Sequence, residues 1–135
     1  MLRRALFAAA IFAVAAPALA QSASNLTGRW EGGYVGASVD DANTLVVNLV
    51  QSGTRLTGGM VEVNTFGDTS KNLFLTSTIE GTVSGRNVVL VKQYDGSGGV
   101  SHSVRYSGAV SPNGRTIKGK YDAGDGATGA FEFAR

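Results

Sequence analysis

The chain has 135 residues, no cysteine, and 12 basic against 10 acidic side chains. The lack of cysteine excludes disulfides and thiolate metal sites, and a chain of this length makes one domain. Arg3 and Arg4 fall in an expected leader, leaving ten basic against ten acidic residues and no positive excess to draw nucleic acid or an anionic membrane.

Residues 1–20 have the pattern of a signal peptide. Arg3 and Arg4 form a positive start, Ala5 to Ala16 an apolar stretch, and Pro17-Ala18-Leu19-Ala20 ends in an A-x-A cleavage pattern. Twelve apolar residues are too few to span a bilayer, which needs about 20. The domain proper is expected at 21–135, exported to a bacterial periplasm or secreted, with no lipid anchor because no cysteine follows the cleavage site.

Beyond residue 25 the apolar residues recur with period two, and 19 glycines in the chain argue against long helices. Trp30 shares a face with Gly28, Gly32 and Tyr34, while Arg29 and Glu31 face the other way. Leu45, Val47 and Leu49 alternate with Val46, Asn48 and Val50, and Leu56, Gly58 and Met60 with Thr57 and Gly59. Ile79, Gly81 and Val83 oppose Glu80, Thr82 and Ser84. Val88 and Leu90 oppose Val89 and Val91. Val104, Tyr106, Gly108 and Val110 oppose Arg105, Ser107 and Ala109. Ile117, Gly119 and Tyr121 oppose Lys118, Lys120 and Asp122, and Gly129, Phe131 and Phe133 oppose Ala130, Glu132 and Ala134. Eight strands are predicted, at 26–36, 43–51, 55–63, 73–84, 86–94, 102–110, 115–122 and 127–134.

A recurring phrase marks the turns. Gly53-Thr54-Arg55-Leu56-Thr57-Gly58 returns loosely at Gly85-Arg86-Asn87-Val88 and closely at Gly114-Arg115-Thr116-Ile117-Lys118-Gly119. Each copy follows an alternating run, and each reads as a hairpin turn with glycine at the φ > 0 position. Short sequential connections predict antiparallel neighbours. Gly28, Gly58, Gly81, Gly108, Gly119 and Gly129 share the apolar face with large side chains, the small–large alternation that fills a closed barrel. The predicted fold is all-β, an eight-stranded antiparallel up-and-down β-barrel, with a two-sheet β-sandwich as the alternative. A membrane-spanning barrel is disfavoured because Arg29, Glu31, Glu80, Arg105, Lys118, Lys120 and Glu132 fall on outward mid-strand positions, where a lipid-facing Arg or Lys costs about 2–4 kcal/mol near the midplane.

Two motifs are read as turns. Gly124-Asp125-Gly126-Ala127-Thr128-Gly129 is a G-x-G-x-x-G, but only six strand-like residues follow, with no room for the helix that a dinucleotide fold requires. Asp95-Gly96-Ser97-Gly98-Gly99 has the residue types of a serine-protease loop with Asp and Gly exchanged. Its Ser97 lies only five residues from the sole histidine, His102, on a glycine loop that makes a poor scaffold for a triad. Nearly every glutamate is outward; Glu62 is the exception by parity and is read as a strand-end residue near the barrel mouth. No catalytic residue, cofactor or metal site is expected, and the chain is read as a non-enzyme.

Trp30, Tyr34, Tyr106 and Tyr121 share the inward parity, with Tyr94 joining them near a strand end. They serve either as core aromatics or as the lining of a cavity whose hydroxyls orient a ligand. Leu26-Thr27-Gly28-Arg29-Trp30, followed by Leu56-Thr57-Gly58, resembles the opening of avidin-type and other calycin-like meander barrels. The resemblance implies an eight-stranded barrel with Trp30 closing its floor. Biotin-binding residues are not matched: Glu31-Gly32-Gly33-Tyr34 lacks the Asn and Ser expected for a ureido group, and Trp30 is the one tryptophan. The expected function is binding of a small, largely apolar ligand touched by Trp30, Tyr34, Tyr106 and Tyr121. The alternative is a protein-binding module, such as a periplasmic hydrolase inhibitor, acting through loops 36–43, 64–72 and 95–101.

Overall fold

The computed structural model describes residues 25–35 and 45–135; the signal-peptide segment and the loop at 36–43 lie outside the described residues. Eight strands follow in chain order: β1 (Gly28–Val35), β2 (Leu45–Ser52), β3 (Arg55–Val63), β4 (Phe74–Ser84), β5 (Asn87–Tyr94), β6 (Ser103–Val110), β7 (Thr116–Asp122) and β8 (Thr128–Ala134). Each pairs antiparallel with its chain neighbours, and β1 pairs with β8, closing the ring. The barrel, rather than the sandwich, is the architecture. The period-two faces sort as the sequence indicates, with Trp30, Leu45, Val47, Leu56, Ile79, Leu90, Tyr106, Ile117, Phe131 and Phe133 buried inside. Arg29, Glu31, Glu80, Arg105, Lys118 and Lys120 are exposed on the outer wall. No helix among the described residues is long and apolar enough to cross a membrane.

The two ends of the barrel differ. At one end the β2–β3, β4–β5 and β6–β7 connections are tight, and the recurring glycines Gly53, Gly85 and Gly114 hold φ of 60°, 58° and 70°. This end is sealed. The Trp30 indole N–H donates to the Leu26 carbonyl at 2.9 Å, and the Arg135 guanidinium lies 4.4 Å from the indole ring while its Nε donates to the Gly114 carbonyl. At the other end are the longer connections, β3–β4, β5–β6 and β7–β8. Gly124 and Gly126 of the G-x-G-x-x-G hold φ of 86° and 89°, and the antiparallel strand β8 follows them, so the motif is a hairpin loop. The Asp95–Gly99 stretch contains a single 3-10 turn, Ser97–Gly99.

Inward glycines allow the wall to curve. A Cβ placed on Gly119 would stand 1.9 Å from the Ser107 carbonyl oxygen and 2.5 Å from the Gly108 Cα, its partner across the β6–β7 ladder. Backbone cannot yield that distance as a side-chain tip could. Gly59, on the other parity, would place its Cβ no nearer than 3.4 Å to the Ser77 carbonyl oxygen. Replacing Gly119→Ala is therefore expected to cost roughly 3 kcal/mol, the upper end of ordinary overpacking, whereas Gly59→Ala stays within about 0.5 kcal/mol of the parent. Urea unfolding of both variants checks this, and equal stabilities would refute the close-approach account.

Candidate functional site

The longer-loop end of the barrel holds a pocket of about 360 Å³ whose lining includes Tyr34, Phe66, Tyr94, His102, Tyr121 and Asp125. Its walls are aromatic rings in contact, edge to face or tilted. Tyr34 meets Tyr121 at 4.7 Å between centroids, and Tyr94 meets His102 at 4.9 Å with Phe66 5.9 Å from Tyr94. Such contacts hold the rings in fixed orientations beyond what their buried area contributes. The loops around this mouth are tied together. Asn64, nearly buried, donates through its side chain to the Asn72 carbonyl and accepts from the Gly67 amide, while the Asp68 amide donates to the Gly98 carbonyl and the Gly98 amide to the Asn72 side chain. A larger depression of about 540 Å³ lies on the outer wall beside Arg29, Glu31, Ala134 and Arg135. Its Arg29 and Glu31 are already paired at 2.9 Å and mostly exposed.

Beneath the pocket is an unusual feature for so small a core: a buried ion pair. Lys92 is 0% exposed and Glu62 3% exposed, with Nζ 2.8 Å from Oε1. The Lys92 ammonium also donates to the Tyr94 hydroxyl at 2.7 Å and to the Tyr34 hydroxyl at 3.3 Å. The Tyr34 and Tyr106 hydroxyls are 3.1 Å apart and share a hydrogen bond. Three phenol rings surround the ammonium, with centroids at 4.3 Å (Tyr94), 5.5 Å (Tyr106) and 6.0 Å (Tyr34). Side chains of β1, β3, β5 and β6 thus converge on one charge. Among the described residues, no buried side-chain nitrogen or oxygen lacks a hydrogen-bond partner.

Burial pulls the Lys92 ammonium below its ordinary range, and the Glu62 carboxylate pulls it back up. Burial first, and then the Glu62 charge, push the Tyr34 phenol up to about 12. Burial likewise raises the phenols of Tyr94 and Tyr106. The cluster therefore holds neutral phenols at neutral pH and offers hydroxyl groups, not phenolates.

The four aromatic residues expected to share a ligand do not occupy one place. Tyr34 and Tyr121 line the pocket. Tyr106 is wholly buried beneath it, and Trp30 closes the opposite end of the barrel, where it stands on its own hydrogen bond to Leu26. Glu62 is near the mouth but is no fraying end: it pairs in register with both Leu45 and Leu75 and is buried. Lys92 was missed although its signal was present. It continues the inward series Val88, Leu90, Tyr94 at period two, and a lysine at that parity is a buried charge in search of a partner. His102 stands at the pocket wall between Phe66 and Tyr94.

No protein-family model, no curated protein and no solved structure matches the chain.

Two outcomes follow from the buried cluster. Lys92→Met strands the Glu62 carboxylate in the core and should lower unfolding free energy by about 3–5 kcal/mol, with much of that loss recovered when Glu62→Leu is added, because a buried pair adds little net stability but its breaking is costly. If Lys92→Met and the double variant unfold at the same urea concentration, the pair is not coupled. The second outcome concerns alkali. A phenol raised from 10.0 to about 12 keeps its proton in the folded chain after the unfolded chain has lost it, so its stabilisation is whole below pH 10 and is lost toward pH 12. Lys92, with its value lowered from 10.5, acts in the opposite sense, but only below pH 10.5, where the unfolded chain still holds the extra proton. Stability should thus fall between pH 10.5 and 12, and urea midpoints that stay level across that window would contradict it.

Proposed function

We propose that this chain is an exported, soluble binding protein of the calycin-like kind that takes one small, largely apolar molecule into the mouth of its barrel. The observation that carries this reading is the contrast between the two ends. The floor buries Trp30, Ile117 and Phe133, whereas the mouth holds about 360 Å³ between aromatic walls. That volume is at the small end of ligand pockets, and aromatic walls over a few fixed polar groups are the usual composition of such sites. Tyr34 and Tyr121 bear on the ligand directly. Trp30 and Tyr106 act from behind, as floor and support. The calycin-like likeness is one of architecture alone. Export rests on the leader at residues 1–20, and solubility on the charged outer wall.

Among the described residues, no group in the pocket is arranged for catalysis. His102 lies tilted against the Tyr94 and Phe66 rings, and the Lys92 amine and Glu62 carboxylate are tied to one another below the cavity. Binding without reaction is therefore the favoured reading. A second reading has one observation in its favour: loops 64–72 and 95–101 are clasped into a fixed surface, and Phe66 and Leu73 stand exposed at 54% and 70%. Such a surface suits a protein partner, such as a periplasmic hydrolase.

Native mass spectrometry of protein purified from its own host should show a bound small molecule, or the empty protein should gain several degrees of thermal stability in a panel of small aromatic compounds. Empty protein with flat melting across the panel sinks the ligand reading. Recovery of a partner protein by pull-down, lost when loop 95–101 is replaced, would then favour the second.

A further inference from the structure

With histidine neutral at pH 7, Asp125 is the one charged side chain on the wall of the mouth pocket. No ion pair among the described residues involves it. Its carboxylate accepts from the Ala127 amide and is otherwise exposed. Around it the rings are steeply inclined, Tyr34 to Tyr121 at 60° and Phe66 to Tyr94 at 76°, so they wall the cavity in different directions. Aromatic rings carry negative density on their faces, and a carboxylate beside them adds a full negative charge, a composition that receives a cation. The barrel already holds one ammonium against its phenols. Lys92 lies 4.3 Å from the Tyr94 centroid beneath the cavity, with Glu62 cancelling its charge at 2.8 Å. Phe66 and Tyr121 have no such cation among the described residues. Lys92, Glu62 and Asp125 leave one negative charge uncancelled, which a cation in the pocket would balance and an anion would double.

The spread of charge over the barrel agrees. Asp68 lies on the β3–β4 connection, Asp95 just after β5, Asp122 at the end of β7 and Asp125 in the β7–β8 loop, all exposed at the mouth. Against them stand Lys71 and, opposite Asp122 in the ladder, Arg105. Arg55, Arg86, Arg115 and Arg135 stand at the sealed end instead. A cleft with one sign of charge and low-dielectric walls gathers the opposite sign.

We propose that the ligand is an organic cation, an alkylated ammonium on a small apolar frame, held against Phe66 and Tyr121 with Asp125 as its counter-charge. This rests on the pocket reading above and names the ligand class for it. An alkylated ammonium spreads its charge over methyl groups, so it is weakly hydrated and loses little on entering an aromatic site. A metal ion is not matched. Calcium or magnesium demands about six oxygens, and no group of three or more metal-binding side chains gathers among the described residues. An anion is not matched either, because it would face Asp125 with Lys92 already paired.

NMR titration of the purified full domain at about pH 8, above the ordinary range of histidine, tests this. The probes are trimethylanilinium, tert-butylbenzene and benzenesulfonate, three substituted benzenes of similar shape that differ in charge. The cation should bind about tenfold more tightly than the neutral compound, and the sulfonate more weakly than either. Rising salt should weaken the cation and spare the neutral compound. The N-methyl protons should move upfield on binding, as protons held over ring faces do, a readout that needs no variant. Asp125→Asn keeps an oxygen for the Ala127 amide and should weaken the cation about threefold while leaving tert-butylbenzene unchanged. Phe66→Leu keeps an apolar wall but removes a ring, and should cost the cation more than the neutral compound. A neutral compound binding as tightly as the cation, tighter binding of the sulfonate, affinity for the cation indifferent to salt, unmoved N-methyl protons, or a cation affinity unchanged in both variants would each overturn the cation assignment while leaving the pocket reading intact. Binding of none of the three would end both.

Discussion

Closure of the sheet is the constraint from which the rest of the molecule follows. When β8 pairs with β1, no strand edge is left, and the inner faces of all eight strands share one narrow volume. Each level of that volume must be filled without overfilling. At the floor it is filled by Trp30 and Phe133, higher up by Phe131 against Tyr106, and glycines along the inner face let the wall bend where a Cβ would strike a neighbouring carbonyl. A chain with no disulfide has only this packing to hold it. The close approach of β6 and β7 at Gly108 and Gly119 is accordingly as much a part of the core as the large side chains are.

The same constraint explains why the strands were legible and the site was not. Closure makes every strand one-sided, so a strict period-two pattern marks both the strands and their inward faces, and the boundaries found lie within two residues of those expected. Parity, however, states only which side a residue faces. Trp30 and Tyr34 share a face but are separated by four residues, roughly 13 Å along a strand at about 3.3 Å per residue. That distance divides floor from mouth. Glu62 and Lys92 are inward by parity and 30 positions apart, on strands separated by β4, so no ladder register announces them as partners. Only the cost of an unpaired inward charge could have joined them, and that is an argument from energy rather than from pattern.

A buried ion pair is a weak source of stability, because desolvation of both ions consumes most of the attraction between them. Apolar side chains of the same volume would serve the barrel at least as well. The pair does something that they would not. It places an ammonium where the Tyr94 and Tyr34 oxygens accept from it, with Tyr106 bonded in turn to Tyr34. Tyr34, Tyr94 and Tyr106 are held by what they accept and donate below the pocket, while Tyr121, Phe66 and His102 are held by ring contacts above.

Polarity in this barrel is thus layered, and the order of the layers matters. The matched charges and the phenols bonded to them are buried beneath the pocket, and rings and loops form the rim. On the proposed reading, a ligand entering from the rim would meet the Asp125 carboxylate on the wall and only a matched pair of charges below, so affinity would come from burial of its frame against the rings. With Lys92 and Glu62 matched to one another, the phenols beneath the pocket are ordered without an unpaired charge beside them. The buried lysine, costly to the fold, orders the two phenol hydroxyls that accept from it.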